Sequence, residues 1–178
     1  MCSIALNSRS QVQDVAEAVE WAEAKFGSVF CFGVSDGGRA LSQYLAGAAC
    51  PPCVTGAVLD CPGLNREGTQ RCPDEGKADL VHINQGWLST HQLRVLFLVA
   101  ECDELHHLED TLEAARLIGL RHRVECVVFK GADHCFQNLE QASEDSYCSH
   151  IPTFLQSLVS RTEDATDATP ECIVTTIE

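Results

Sequence analysis

Residues 31–45 read CFGVSDGGRALSQYL. An apolar run ends at Gly33 and a single serine follows at Ser35. From Gly38 onward Leu41, Tyr44, Leu45 and Ala48 recur at helical spacing. The stretch therefore reads as strand, tight turn, helix. Glycines stand two residues before the serine and two after it, at Gly33 and Gly37, where a sharply bent backbone leaves no room for side chains. Two roles are open for Ser35: a nucleophile raised on an elbow, or a polar residue in a glycine-rich turn.

Alternating strand and helix patterns extend in both directions. SQVQDVAEAVEWAEAKFG, residues 10–27, sets Val12, Val15, Val19, Ala22 and Phe26 at helical spacing. Ser10 is placed to cap that helix with Gln13 in capping-box position, and Gly27 ends it. Ser28–Gly33 reads as a short buried strand, Val54–Asp60 as a second, Leu93–Ala100 as the strongest, and Arg123–Phe129 as a fourth. Residues 108–120, LEDTLEAARLIGL, form an amphipathic pattern on Leu108, Leu112, Ala115 and Ile118, and His150–Ser160 reads as a last helix. Strands separated by helices of this length imply an α/β protein with right-handed crossovers and a parallel sheet of about four strands, flanked by helices. Residues 61–88 show no period and collect Pro, Gly, Asn and charge, which suits a substrate-pocket or lid segment. Residues 161–178 are acidic and Thr-rich and are expected to be disordered for much of their length. The organisation expected is a domain over 1–160 and a tail over 161–178.

Composition excludes several function classes. The formal net charge of −14 argues against a phosphate-binding surface, and the densest basic group, Arg121 with Arg123, is too small for a patch. No nucleic-acid partner is expected. Apolar runs are strand-sized, well short of the roughly 20 residues needed to span a bilayer, so no membrane partner is expected either. The first ten residues, MCSIALNSRS, have neither a basic region nor a long apolar one, so no secretory leader is expected and the setting is read as cytoplasmic. Eleven cysteines would suit a disulfide framework only in a secreted chain. Cys31, Cys61 and Cys126 lie in or beside apolar runs, where a free thiol is a small apolar filler. Cys50 and Cys53 make a CPPC, but it follows a helix in a Pro-rich loop and has no second CxxC or spaced His pair for zinc. Neither a metal nor a cofactor is expected.

In an open parallel sheet, ligands bind beyond the carboxyl ends of the strands. Ser35 follows the first strand. AECDEL, with Glu101, Asp103 and Glu104, follows the third, and KGADHCF, with Asp133 and His134, follows the fourth. A hydroxyl, a carboxylate and an imidazole thus project at one edge. Acyl transfer needs those three groups: histidine takes the serine proton, and an acid fixes the histidine tautomer. Glu101 and Glu104 compete with Asp103 for the acid, Asp133 suits a local turn, and Cys135 suits a neutral filler. His106 and His107 are adjacent, so on a helix they point apart and do not suit a shared metal. The backbone N–H of Asp36, at the start of the following helix, is aimed where an oxyanion would form.

FGVSDGGRALSQYLA, VLFLVAECDELHHLEDTLEAARLIGL and VECVVFKGADHCF together resemble the C-terminal part of an α/β-hydrolase, of the dienelactone-hydrolase-like and prolyl-oligopeptidase-like kind, over roughly residues 10–160. The resemblance implies Ser35 as nucleophile, Asp103 as triad acid, His134 as general base and Asp36 as one oxyanion donor. It implies hydrolysis of ester, lactone or peptide-like acyl bonds of a small-molecule substrate, without a cofactor. The family carries several strands before its nucleophile strand, and one of their loops supplies the second oxyanion donor. Residues 1–27 read as one helix instead, so the fold is expected to be a partial one that lacks the N-terminal strands. Activity is then expected to fall, since one oxyanion donor is worth about 100- to 1000-fold. A sheet edge left open in this way makes self-association plausible. The alternative is a catalytically silent interaction protein on the same fold.

Overall fold

A computed structural model describes residues 8–47, 51–64, 93–120, 122–159 and 170–177. Ala48, Cys50, Arg121, most of the aperiodic stretch (65–88) and residues 161–169 of the tail lie outside the described residues. The elements run α1 (Ser8–Phe26), β1 (Val29–Val34), α2 (Asp36–Gly47), β2 (Val54–Asp60), β3 (Arg94–Ala100), α3 (Leu108–Gly119), β4 (Arg123–Phe129), α4 (Gln141–Val159) and β5 (Glu171–Ile177). The five strands form one sheet in chain order, β1-β2-β3-β4-β5, and every pair is parallel.

A parallel sheet is covered on both faces, so its central strands need no polar alternation. In β3, RVLFLVA, every residue after Arg94 is buried. One face packs Val95, Phe97, Val99, Val124 and Cys126 against Leu41 and Leu45 of α2 and Ala114, Ala115 and Ile118 of α3, with Val12, Val15, Val19 and Ala22 of α1 joining at its edge. The other face packs Val58, Leu96, Leu98, Val127 and Phe129 against Phe154, Ile151 and Tyr147 of α4. At about 25 cal/mol for each Å² of apolar area removed from water, these two layers supply the main force that closes the fold. The second layer thins toward β1, where Phe32 and Val34 remain about half exposed. Among the described residues, no helix is long and apolar enough to cross a membrane.

The structure departs from the sequence reading at four places. The sheet has five strands rather than about four, because ECIVTTI of the tail pairs with β4 along its whole length, from Arg123↔Glu171 to Phe129↔Ile177. Its β-branched residues suit a pleated strand. Arg123 and Glu171 form an ion pair at 3.2 Å, and Gly119 of α3 lies so close that an added Cβ would sit 2.6 Å from that of Cys172. Second, α4 starts at Gln141 and runs through Pro152 rather than starting at His150. Third, α1 begins at Ser8, which puts Ser10 in its first turn, and Phe26 is exposed beside Trp21 instead of facing the core. Fourth, α4 covers the face opposite α2 and α3, although β5 follows β4 in the same direction across the sheet. The β4–α4–β5 unit thus departs from the hand that the β1–α2–β2 and β3–α3–β4 units share.

Candidate active site

The turn after β1 is bent as a nucleophile elbow requires. Ser35 has φ 51, a conformation that costs a non-glycine residue about 1–3 kcal/mol and persists only where its surroundings enforce it. Three backbone bonds do so. Ser35 N–H donates to the Asp60 carbonyl at 2.9 Å, and the Ser35 carbonyl accepts from Arg39 N–H at 3.0 Å and Gly63 N–H at 3.3 Å. A Cβ on Gly33 would lie 2.7 Å from the Gly37 carbonyl oxygen and 2.8 Å from the Gly38 Cα, so β1 and the first turn of α2 touch backbone to backbone. Neither atom can swing away. Gly33→Ala is therefore expected to destabilise the fold by about 3 kcal/mol or more, read as a lower urea midpoint at unchanged slope.

The sheet edge brings together one residue from each of three loops. His134 Nε2 lies 2.9 Å from Ser35 Oγ, and His134 Nδ1 lies 2.8 Å from Asp103 Oδ2. The other Asp103 oxygen accepts backbone N–H groups from Leu105 at 2.8 Å and His106 at 3.0 Å. The Asp103 and His134 side chains are only 4% and 10% exposed, so their bond is little screened by water. Asp36 is the first residue of α2, so its N–H is one of the first four, which have no acceptor within the helix.

The remaining candidates do other things. Glu101 accepts the Gly131 N–H at 2.9 Å, and Glu104 accepts the His134 backbone N–H at 3.4 Å; both tie the loop after β3 to the loop after β4. Asp133 accepts the N–H groups of Cys135 and Gln137, at 3.2 and 2.8 Å, as a local turn-former does. Cys135 is exposed. His106 and His107 point apart. His107 is exposed and stands before α3, while the His106 ring packs against that of His134 at 5.0 Å between centroids. Both His106 ring nitrogens are buried without a partner, and burial lowers its pKa, which favours the neutral imidazole. Cys53 is buried and its thiol is pushed up, first by burial and then by Glu23, away from the reactive thiolate that a redox site uses. The thiols of Cys31 and Cys126 are pushed up by burial to about 11 and about 12.

Two residues beneath the site, Asp60 and Cys61, have no role at it in the sequence reading, which gives Cys61 only as an apolar filler. The rule that inspects the first residues after each strand applies equally to β2, which ends in Asp60 and is followed by Cys61. Asp60 is 3% exposed, and its Oδ2 accepts from the Tyr147 hydroxyl of α4 at 2.6 Å while Oδ1 is buried without a partner. Burial raises its pKa; the Tyr147 bond and the nearby His134 work in the opposite direction. A carboxyl whose pKa is raised on folding favours the folded state below its ordinary value of 3.8, and that contribution is lost as pH rises through the folded pKa. Asp60→Asn is thus expected to gain in melting temperature on the parent as pH rises from 4 to 7, the gap being smallest at the acid end.

Cys61 Sγ, an Asp103 carboxylate oxygen and a His134 ring nitrogen lie within 4.8 Å of one another, a compact enough set of donor types for a metal ion such as zinc. An ion there would have to displace the bond between His134 and Asp103.

No family model matches the chain and no curated protein is detectably similar to it. Solved structures are similar. A Klebsiella pneumoniae protein assigned as a dienelactone hydrolase superposes with a TM-score of 0.60 at 19% identity, over 85% of this chain and 63% of its own. The esterase Pf2001 of Pyrococcus furiosus gives 0.60 at 15% identity, over 82% and 61%. Est1E of Butyrivibrio proteoclasticus, solved with ferulic acid bound, gives 0.62 at 12%, over 84% and 68%. This chain thus spans somewhat under two thirds of the first two of these proteins.

Proposed function

From a partial α/β-hydrolase fold, we propose that the chain is a serine-hydrolase domain acting on ester, lactone or peptide-like acyl bonds of small molecules. The unbroken relay from Ser35 Oγ through His134 to Asp103, at 2.9 and 2.8 Å, carries the reading. His134 Nε2 takes the Ser35 proton as Oγ attacks the acyl carbon, and ionised Asp103 holds Nδ1–H and stabilises the imidazolium. The tetrahedral oxyanion is met by the Asp36 N–H at the start of α2. Collapse breaks the bond to the alcohol or amine, which leaves with the proton from Nε2. Water, deprotonated by the same nitrogen, then attacks the acyl-serine; the carboxylic acid departs and Oγ regains its proton.

A fluorophosphonate probe tests the proposal. Ser35 should carry the label in the folded protein, found by peptide mass spectrometry, and p-nitrophenyl acetate should be turned over. A folded sample that takes no label overturns it in favour of the second reading, a silent interaction protein. What favours that reading is the edge strand β1, which pairs only with β2 among the described residues and leaves Phe32 and Val34 half exposed. Self-association through this edge belongs to either reading, and sedimentation equilibrium checks it. A reducing, cytoplasmic setting is also part of the proposal; it suits the eight described cysteines, all free thiols.

A further inference from the structure

His106 is in touch with all three residues of the relay. Its backbone N–H donates to Asp103 Oδ1 at 3.0 Å. Its ring lies 5.0 Å from that of His134 between centroids, with 68° between the planes, which is edge-to-face packing. Gly63 lies against the same ring: a Cβ there would sit 3.1 Å from His106 Cε1 and 3.4 Å from Nε2. Gly63 in turn donates its N–H to the Ser35 carbonyl at 3.3 Å. The His106 main chain thus holds the acid, its ring touches the base, and one glycine links that ring to the turn that carries the serine.

Both His106 ring nitrogens are buried without a partner among the described residues. Buried polar groups are ordinarily hydrogen-bonded, so polar contacts do not explain this imidazole. What it offers its neighbours is a flat face of fixed size. Such a face has a use at His134. In the resting site hydrogen bonds hold the His134 ring at Nε2, 2.9 Å from Ser35 Oγ, and at Nδ1, 2.8 Å from Asp103 Oδ2. Once Oγ is bonded to the acyl carbon, the first of these is gone. Nε2 must then face the leaving group and later a water, with Asp103 the one of its two partners still in place. We infer that His106 is a positioning residue, whose ring packs against that of His134 and keeps Nε2 aimed when Ser35 no longer holds it. The inference deepens the proposed function and rests on it for those later steps. It requires a flat side chain at position 106 and neither nitrogen.

Three variants test it, each checked for folding by its melting temperature. His106→Ala removes the ring, His106→Gln keeps a polar group without a ring, and His106→Phe keeps a ring without nitrogens. With p-nitrophenyl acetate, kcat should fall about 30-fold in His106→Ala and His106→Gln with KM no higher, the scale of loss that a misplacement of about 1 Å brings. His106→Phe should recover most of that loss. A His106→Phe enzyme as slow as His106→Ala overturns the inference, because a nitrogen would then be at work; so does an unchanged kcat in His106→Ala. A second readout needs no turnover. The downfield Nδ1–H resonance of His134, assigned by its loss in His134→Gln, should be sharp in the parent and in His106→Phe. In His106→Ala it should broaden beyond detection as the ring swings and water reaches it. A resonance equally sharp in all of them, or absent from the parent, overturns the inference. Should His106→Ala fail to fold, His106→Gln decides both readouts in its place. A chain that turns over no ester would sink the proposed function, and the resonance would still decide this inference.

Discussion

Ser35→Ala should eliminate fluorophosphonate labelling and lower ester turnover by about ten-thousand-fold or more, with the fold intact. The expectation follows from what the substitution leaves behind. Alanine keeps the three backbone bonds that hold residue 35 to Asp60, Arg39 and Gly63, because none involves the hydroxyl. It also keeps a Cβ at φ 51, so the strain of the elbow is unchanged. Only the atom that attacks is removed, together with its bond to His134. Equal melting temperatures alongside lost labelling would separate chemistry from stability. Label that persists on another residue would show that a different nucleophile operates.

Asp103→Asn should be nearly as damaging to turnover, again by about ten-thousand-fold, through a change of tautomer rather than of shape. Asparagine retains a carbonyl oxygen that can accept the Leu105 and His106 N–H groups, so the loop keeps its form. Its amide NH2 must then face His134 Nδ1, which becomes an acceptor. The ring proton moves to Nε2, the nitrogen that sits 2.9 Å from Ser35 Oγ, and a protonated Nε2 cannot take the serine proton. The loss should fall on kcat with little effect on KM, and turnover should partly recover at high pH, where hydroxide replaces the missing base. A loss of less than tenfold would show that Asp103 is not the acid, and Asp60, the other buried carboxylate at this sheet edge, would be tried next by Asp60→Asn.

The legibility of this fold follows from where its apolar residues lie. Val54–Asp60 and Arg123–Phe129 are read correctly to the residue because strands buried on both faces are apolar over most of their length, Thr55 and Glu125 aside, and polar residues bound them. Glu171–Ile177 is hidden because the acidic composition of the tail before it dominates any average over that length. Proline at 152 invites a helix start, yet α4 passes through it, and Ser149 and Thr153 bond back to the Ser146 and Ser149 carbonyls on either side. At the site, spacing along the chain says nothing directly about Ser35 and His134, which are 99 residues apart. Their meeting is deduced from the rule that parallel strands end at one edge. That rule names the loops; it does not give the reach of each side chain. Applied to β2, it names Asp60 and Cys61, but their neighbours are visible only once β2 is set beside β3, and the Tyr147 hydroxyl only once α4 crosses beneath them.

Strand order has a last consequence, for the sequence of events as the chain folds. Each strand pairs with the one made just before it, so the sheet can grow from one side as a zipper does, without reopening any earlier pair. Ser35, Asp103 and His134 are delivered in that order by the loops after β1, β3 and β4. The three meet when β4 docks, before β5 has a place to bind. During synthesis the three residues can thus come together while β5 is still inside the ribosome, and docking of β5 then covers the edge beside them.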